Sequence, residues 1–192
     1  MKSYLLSLIF FLWGSVLTFS QSIPESELVD AVTGKNVTLK EMIGQKGLVL
    51  IFHNLNCPFA KMYENRISEL RANYQNKGFN FALINPEVGT EPESQLTLRT
   101  FIDDSKLNMA YLIDEGQKFT QFFQITKIPE AVILTSDSES LKVSYRGAID
   151  NNPQAAGSVS EKFLERAINQ LLKGEDPIPA QVRAPGCNIK RF

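Results

Sequence analysis

The middle of the chain is dominated by a continuously apolar segment followed by an amphipathic one. Leu48 to His53 is predicted to be a strand, and its apolar residues run together rather than alternating, which is typical of a strand buried on both faces. From Pro58 to Gln75, apolar residues recur every three or four positions and predict a helix with one buried stripe. Phe79 to Ile84 follows as the next strand. Short connections between these segments predict a parallel βαβ unit.

Shorter segments are predicted on both sides of this unit. Leu28 to Leu39 indicates an N-terminal β-hairpin around a Thr33-Gly34 turn. The further predictions are a helical turn at Leu39 to Ile43, a loop at 86 to 94, a helix at Gln95 to Asp103, a strand at Ala110 to Ile113, a helix at Gln117 to Gln124, strands at Ala131 to Leu134 and Lys142 to Tyr145, and a helix at Ser160 to Lys173. The tail from Glu175 has too few apolar residues for an element, so we expect it to lie across the surface.

The N-terminus has the pattern of a secretory signal. An apolar run from Tyr4 to Phe19 follows Met1-Lys2, and Thr18 and Ser20 have the −3 and −1 spacing of a cleavage site. We therefore predict a cleaved signal at 1–20, a folded domain at 21–175 and a C-terminal tail at 176–192. The alternative is an uncleaved anchor. The protein is expected to be exported, either periplasmic or secreted, or membrane-anchored if the signal is retained.

The composition gives no indication of a nucleic-acid, metal or cofactor partner. The formal net charge of −1 gives no argument for nucleic acid, and membrane contact is expected only through an uncleaved N-terminal segment. One histidine and two distant cysteines make no metal-ligand cluster, and no phosphate-binding glycine loop is present. No metal and no cofactor are therefore predicted.

The two cysteines carry the candidate chemistry. Cys57 directly precedes Pro58 at the predicted helix start, where unpaired N–H groups and the helix dipole favour the reactive thiolate. In an exported protein, however, a Cys57–Cys187 bridge is the simplest expectation. Such a bridge would stabilise the fold by about 4–5 kcal/mol in the chain-entropy model. The residues alone leave open whether Cys57 is reactive or structural.

Two segments resemble thioredoxins. Ala60 to Gln75, with the preceding Cys57, is similar to the thioredoxin active-site helix, and Phe123 to Leu134 is similar to the segment around the thioredoxin cis-proline. The resemblance implies that the Ile128–Pro129 bond is cis and that Pro129 shapes the surface on which a partner docks beside the active cysteine.

A longer stretch between these segments resembles the redoxin branch, the alkyl hydroperoxide reductase and thiol-specific antioxidant group. Asp114-Glu115, Pro129-Glu130 and Tyr145 to Asp150 also fit that branch, and the resemblance covers residues 25 to 175. It implies a thioredoxin-like α/β fold with a central mixed β-sheet flanked by helices and a redoxin-type insertion.

Departures from the family patterns affect the expected activity. Ala60 stands where thioredoxins have a second cysteine, and Ile51 stands where they have a buried acidic residue. Leu50 and Asn54 replace the proline and threonine of peroxiredoxins. The resemblance therefore implies a Cys57 thiolate that attacks a peroxide or a protein disulfide, with Cys187 as resolving cysteine and an unidentified thiol reductant. The alternative is a redox-inactive binding or structural module with Cys57 inert or bridged.

Four polar residues are candidates for supporting this chemistry. His53 is a candidate base or stabilising cation, although it also fits a polar strand cap. Asn54 and Asn56 could donate hydrogen bonds near the sulfur, or satisfy the backbone of the turn. Arg146 could supply positive charge near the thiolate, whereas a solvated strand position is the simpler interpretation.

Overall fold

The computed structural model describes residues 22–87, 92–105, 107–137 and 140–191. The predicted signal at 1–20 lies outside the described residues. Within the described ranges, no helix is both long enough and apolar enough to cross a bilayer.

The elements alternate between strands and helices through most of the chain. The strands are β1 Leu28–Asp30, β2 Lys35–Val37, β3 Gly47–Phe52, β4 Phe79–Asn85, β5 Ala110–Ile113, β6 Lys127–Ile128, β7 Glu130–Asp137, β8 Ser140–Gly147, β9 Gln181–Val182 and β10 Cys187–Asn188. The α-helices are α1 Pro58–Tyr74, α2 Pro92–Asp104, α3 Lys118–Phe122 and α4 Phe163–Leu172, and short 3-10 helices span Gln75–Lys77, Glu115–Gln117 and Ala156–Ser158.

Eight strands form one mixed sheet in the order β2-β1-β5-β4-β3-β7-β8-β9. The predicted βαβ unit is confirmed, because β3 and β4 pair in parallel from Gly47 opposite Phe79 to Phe52 opposite Ile84. On its other side β3 pairs antiparallel with β7. The predicted N-terminal hairpin is also present, as an antiparallel β1–β2 pair.

Both faces of the sheet are covered, which explains the uninterrupted apolar run in β3. Val49 and Ile51 belong to a core cluster that includes side chains of α1, α2 and α4, such as Ile67 and Ile168. Leu50 points to the opposite cluster, which includes side chains of α3. Alternate residues of one strand are therefore buried on opposite sides.

Several predicted boundaries are corrected by the structure. α2 begins at Pro92, inside the segment predicted as a loop. The single helical turn predicted at Leu39 to Ile43 is present as a hydrogen-bonded turn at 39–42, in which the Met42 N–H donates to the carbonyl of Thr38 at 3.3 Å. α4 begins at Phe163 rather than Ser160. The backbone N–H groups of Ser160 and Glu161 donate to Oδ1 of Asn151, at 3.2 and 3.1 Å, and this holds the two residues outside the helix.

The tail differs most from its prediction, because it contains two strands. β9 pairs in parallel with β8, and β10 pairs antiparallel with β6 in a separate two-stranded sheet. Backbone pairing with strand edges elsewhere in the fold, rather than an apolar pattern, orders this segment. It brings Cys187 to the site described next.

Candidate active site

Cys57 lies at the N-cap of α1, immediately after the loop that leaves β3. Its φ and ψ of −94° and 112° are extended, and its carbonyl accepts the first helical hydrogen bond from the Lys61 N–H at 3.3 Å. No acidic side chain lies in the first turn. The sulfur-bearing residue therefore adjoins the unpaired N–H groups and positive end of the dipole of a 17-residue helix, which favour a thiolate over a thiol when the cysteine is reduced.

The loop before Cys57 is fixed by one asparagine. Oδ1 of Asn54 accepts the backbone N–H of Asn56 at 2.7 Å, and the carbonyl of Asn54 accepts the N–H of Cys57 at 3.2 Å. Asn54 is buried, whereas Asn56 is exposed. Asn54 therefore satisfies the turn backbone, the second of the two roles considered for it, and thereby holds the cysteine in place.

Cys57 is bonded to Cys187, with an S–S distance of 2.10 Å and a Cα–Cα distance of 6.0 Å. The Cys57 side of the bond is only 3% exposed and packs against Ala60 and Ile128. Cys187 is partly exposed. The position that holds a second cysteine in thioredoxins is thus the fully buried Ala60, and the partner cysteine comes from the C-terminal tail instead.

The proline segment lies directly against this disulfide. The Ile128–Pro129 peptide bond is cis, and the carbonyl oxygen of Ile128 is 3.2 Å from Sγ of Cys57. In the β10–β6 pair, Cys187 lies opposite Ile128 and Asn188 opposite Lys127. Both half-cystines therefore contact the backbone of the same residue, Ile128.

Gly186 makes the close approach of the tail to β6 feasible. Its φ is +152°, and a Cβ at this position would lie 2.1 Å from the carbonyl oxygen of Ile128. A side chain would meet backbone atoms, which cannot move aside as the end of a flexible side chain can. A residue with no Cβ is therefore required immediately before Cys187.

Side chains from two other parts of the fold hold the tail beyond Cys187. The backbone N–H of Lys190 donates to Oε1 of Glu87 at 2.7 Å, and its carbonyl accepts Nε2 of Gln117 at 2.6 Å. Nζ of Lys127 donates to Oδ1 of Asn188 at 2.6 Å. Sequence reasoning missed Glu87, Gln117 and the geometric role of Gly186, since no motif marks residues that bind a distant backbone.

His53 is buried, and its ring lies among side chains of β5, α1 and α2. Its Nδ1 is 2.9 Å from the Tyr111 hydroxyl, its Nε2 is 3.7 Å from Oε1 of Glu64, and its ring stacks on Phe101. Nδ2 of Asn85 donates to the same Tyr111 hydroxyl at 3.0 Å. The partners of the imidazole are thus Tyr111, Glu64 and Phe101 rather than the half-cystine, although only three residues separate His53 from Cys57.

Arg146 is not the solvated strand residue that the pattern favoured. Its side chain is 20% exposed, its Nη1 donates to the carbonyl of Phe123 at 2.7 Å, and its Nε lies 3.7 Å from Oε1 of Glu130. Burial raises the pKa of Glu130, although a backbone N–H from Thr126 and the Arg146 charge oppose this shift. The positive charge of Arg146 is thus directed to the carboxyl group of the residue after the cis-proline.

Among the described residues, no group of three or more His, Cys, Asp or Glu side chains is placed to hold a metal ion.

Comparisons with known proteins place the chain in a family. No curated protein sequence matches it at a significant level. A solved structure of an uncharacterised conserved protein from Geobacillus kaustophilus is 25% identical, with a TM-score of 0.77 and coverage of 90% of this chain and 91% of that one. A hypothetical protein from Sinorhizobium meliloti is 25% identical, with a TM-score of 0.73 and coverage of 88% and 92%.

A thiol-disulfide oxidoreductase from Bacteroides fragilis is 18% identical, with a TM-score of 0.54 and coverage of 66% of this chain and 89% of that one. At this identity the likeness concerns the fold, and it confirms the predicted thioredoxin-like fold, with its central mixed sheet flanked by helices. A sequence model of the AhpC/TSA family matches residues 19–145, which is more than half of the 192 residues. The chain therefore belongs to the AhpC/TSA family and has a thioredoxin-like fold.

Proposed function

We propose that the chain is an exported thiol–disulfide redox protein in which Cys57 is the nucleophile and Cys187 the resolving cysteine. The observation that carries this proposal is the position of the Cys57–Cys187 bond, at the N-terminus of α1 and against the residue before cis-Pro129. A structural bridge has no need of a helix N-terminus, whereas a reactive cysteine gains a stabilised thiolate there. Export rests on the signal pattern at 1–20.

The proposed reaction has two exchange steps. The Cys57 thiolate attacks one sulfur of a partner disulfide, forming a mixed disulfide as the partner's other sulfur leaves as a thiolate. The Cys187 thiolate then attacks Cys57, forms the internal bond and releases the second partner sulfur as a thiolate. The partner is reduced by two electrons and this protein is oxidised by two. An external thiol reductant returns the pair to the reduced state. Pro129 and the Ile128 backbone are buried beside the tail in the oxidised protein, and they would shape the surface for the partner after the bond opens.

A peroxide is the less favoured oxidant. In that reaction the Cys57 thiolate would attack one peroxide oxygen, and the O–O bond would break with release of the other oxygen as water or an alcohol. The Cys187 thiol would then attack the resulting sulfenic acid, form the disulfide and release the sulfenic oxygen as water. The described neighbours of the Cys57 sulfur are the Ile128 carbonyl and apolar side chains such as Ala60. Arg146, the cation considered for this role, is engaged by Phe123 and Glu130. These contacts supply no group that would polarise a peroxide bond, so we favour disulfide exchange.

The rival function is a binding or structural module in which the bond is a permanent staple. The observation that favours it is the 3% exposure of Cys57, together with the hydrogen bonds that fix the tail at Lys190. A staple would close a 130-residue separation and stabilise the fold by about 5 kcal/mol in the chain-entropy model. The two functions differ in whether the reduced thiols react selectively.

Single-cysteine variants test the proposal. The chain from Gln21 is reduced, mixed with glutathione disulfide, quenched by alkylation and mapped by mass spectrometry, as wild type and as Cys187→Ser and Cys57→Ser. Wild type is expected to form the internal disulfide, and Cys187→Ser is expected to stop with one glutathione on Cys57. Cys57→Ser, the matched control, should acquire glutathione on Cys187 at least ten times more slowly.

Equal, slow reaction of the two variants would overturn the proposal and favour the staple. A parallel arm replaces glutathione disulfide with hydrogen peroxide. Oxidation of Cys57 by peroxide that is faster than its reaction with glutathione disulfide would contradict the preference for disulfide exchange and assign peroxide as the oxidant.

A further inference from the structure

The backbone of Lys190 is held at both of its polar groups by side chains. Glu87, two residues after β4, accepts its N–H at 2.7 Å, and Gln117, at the end of a 3-10 helix, donates to its carbonyl at 2.6 Å. The Lys190 side chain takes no part in these two bonds. We name Glu87 and Gln117 the tail clamp, because together they fix the position of the main chain three residues after Cys187.

The two residues of the tail clamp are also held by hydrogen bonds to residues outside the tail. Gln117 is 3% exposed, and its Nε2 donates a second hydrogen bond to the carbonyl of Pro86 at 3.1 Å. The N–H of Glu87 donates to Oδ1 of Asn85 at 2.9 Å, which fixes the residue at the end of β4. The acceptor and the donor are therefore held in place by contacts made outside the tail.

One carboxylate joins the two cysteine-bearing segments. Oε1 of Glu87 accepts from Lys190, in the tail, and Oε2 accepts from Nδ2 of Asn54, in the loop before Cys57. The same Asn54 side chain accepts the N–H of Asn56 at 2.7 Å. A continuous set of hydrogen bonds thus connects the residue before Cys57 to the residues after Cys187 without passing through either sulfur.

We infer that Glu87 and Gln117 are positioning residues that keep Cys187 beside Cys57 in the reduced protein. None of their hydrogen bonds involves sulfur, so all of them remain available to hold the tail after the disulfide is reduced. A thiol held near its target has a higher effective concentration than one on a free tail. The inference rests on the proposed function, since it concerns the step in which Cys187 displaces the partner from Cys57.

The thiol–disulfide equilibrium of the pair measures this positioning. Wild type, Glu87→Ala and Gln117→Ala are equilibrated in mixtures of reduced and oxidised dithiothreitol and quenched by alkylation. Mass spectrometry then gives the fractions of reduced and disulfide-bonded protein. Without one of these bonds the tail of the reduced variant can leave its position, whereas the disulfide still holds it in the oxidised variant, so the loss falls mainly on the oxidised state. Each substitution is therefore expected to lower the equilibrium constant for closing the Cys57–Cys187 bond by about tenfold, the effect of one charge-assisted or buried hydrogen bond. Glu87→Gln retains an acceptor for the Lys190 N–H, so its decrease should be smaller than that of Glu87→Ala.

Glu41 provides the matched control. Its carboxylate accepts two hydrogen bonds from Thr38, at 2.8 and 3.0 Å, and within the described ranges no hydrogen bond joins this carboxylate to the tail. Glu41→Ala removes a similar carboxylate contact and should leave the equilibrium within twofold of wild type. A loss of stability shared by the oxidised and reduced states does not change this equilibrium, so the readout separates positioning from a general structural role.

The rate at which Cys187 releases a partner from Cys57 is a second test of the inference. In each variant, Cys57 is first joined to a glutathione, and the release of glutathione by Cys187 is timed; Glu87→Ala and Gln117→Ala should slow this step by about tenfold. Unchanged constants for both variants, or an equal change in Glu41→Ala, would overturn the inference. Failure of the proposed function appears elsewhere, as the absence of selective Cys57 reactivity in Cys187→Ser, which has no bearing on the dithiothreitol equilibrium.

Discussion

Substitution of Gly186 by alanine perturbs the disulfide through one added methyl group. The new Cβ would lie 2.1 Å from the carbonyl oxygen and 2.7 Å from the carbonyl carbon of Ile128, at a backbone φ of +152°. In the oxidised protein the covalent bond keeps the neighbouring Cys187 opposite Ile128, so the methyl group cannot move away from the Ile128 carbonyl. In the reduced protein no covalent bond holds Cys187 opposite Ile128, so the backbone around residue 186 can adjust locally while Glu87 and Gln117 still hold the backbone of Lys190.

The expected magnitude follows from these two effects. Holding a non-glycine residue in this backbone region costs about 1–3 kcal/mol, and disturbing the short β10–β6 ladder costs roughly 1 kcal/mol for each hydrogen bond lost. Because most of this penalty falls on the oxidised state, we expect the equilibrium constant for closing the disulfide to fall roughly 30-fold or more, with tenfold corresponding to about 1.4 kcal/mol.

Equilibration with reduced and oxidised dithiothreitol, followed by alkylation and mass measurement, gives this constant directly. Gly157→Ala is the control, because a Cβ on Gly157 meets nothing within 4 Å. It should leave the constant unchanged. A constant for Gly186→Ala within threefold of wild type would refute the argument that the tail must approach β6 this closely.

Three further predictions concern the stability of the fold and are measured by urea unfolding. Arg66→Met removes the charged partner of the buried Asp150 carboxylate, which keeps its hydrogen bonds from the Tyr63 hydroxyl and the Asn152 N–H. Breaking such an ion pair should lower the free energy of unfolding by about 3–5 kcal/mol; a loss below about 1 kcal/mol would contradict it. Ile67→Ala, at a position with no exposure in the core beside α1, should lower it by about 2–5 kcal/mol, and Ile67→Val should lose far less. Burial raises the pKa of Glu130, so the folded state binds its proton more tightly than the unfolded state, and this carboxyl reduces stability as pH rises from about 4.5 through the raised pKa. Glu130→Gln should remove that part of the pH dependence, and identical pH profiles would show that Glu130 does not contribute it.

The central part of the fold was predictable because its sequence signals are local. The apolar run of β3 reflects burial on both faces, and the stripe that includes Ile67 marks the side of α1 that packs on the sheet. The apolar run of β3 covers six residues and the periodic stripe of α1 lies on a helix of 17, so each pattern is long enough to be recognised. The parallel pairing of β3 with β4 then follows from the short connections through α1.

The tail could not be predicted by the same reasoning. β9 and β10 have two residues each, so neither has a period, and their pairing partners lie on β8 and β6, far away in the sequence. The Cys57–Cys187 contact depends on this pairing and on a glycine with positive φ. The sequence supplies both cysteines, but their proximity is a property of the assembled fold.

The supporting residues show a similar limit. The direction of His53 is set by Tyr111 and Glu64, which are placed by β5 and α1. Arg146 is drawn inward by the carbonyl of Phe123 and the carboxyl group of Glu130. In both cases the partner is distant in sequence, so residue type alone could indicate a role but not the group toward which the side chain points.

The central claim is that the Cys57–Cys187 bond opens and closes in the folded protein. Neither of the two main core clusters includes a cysteine among its buried residues, so reduction should leave the packing of the sheet intact. The most direct measurement follows repeated cycles of dithiothreitol and glutathione disulfide without denaturant, with the thiol state read by alkylation and the fold by circular dichroism. The account predicts complete opening and closing with an unchanged spectrum, whereas a bond that opens only when urea unfolds the protein would contradict it.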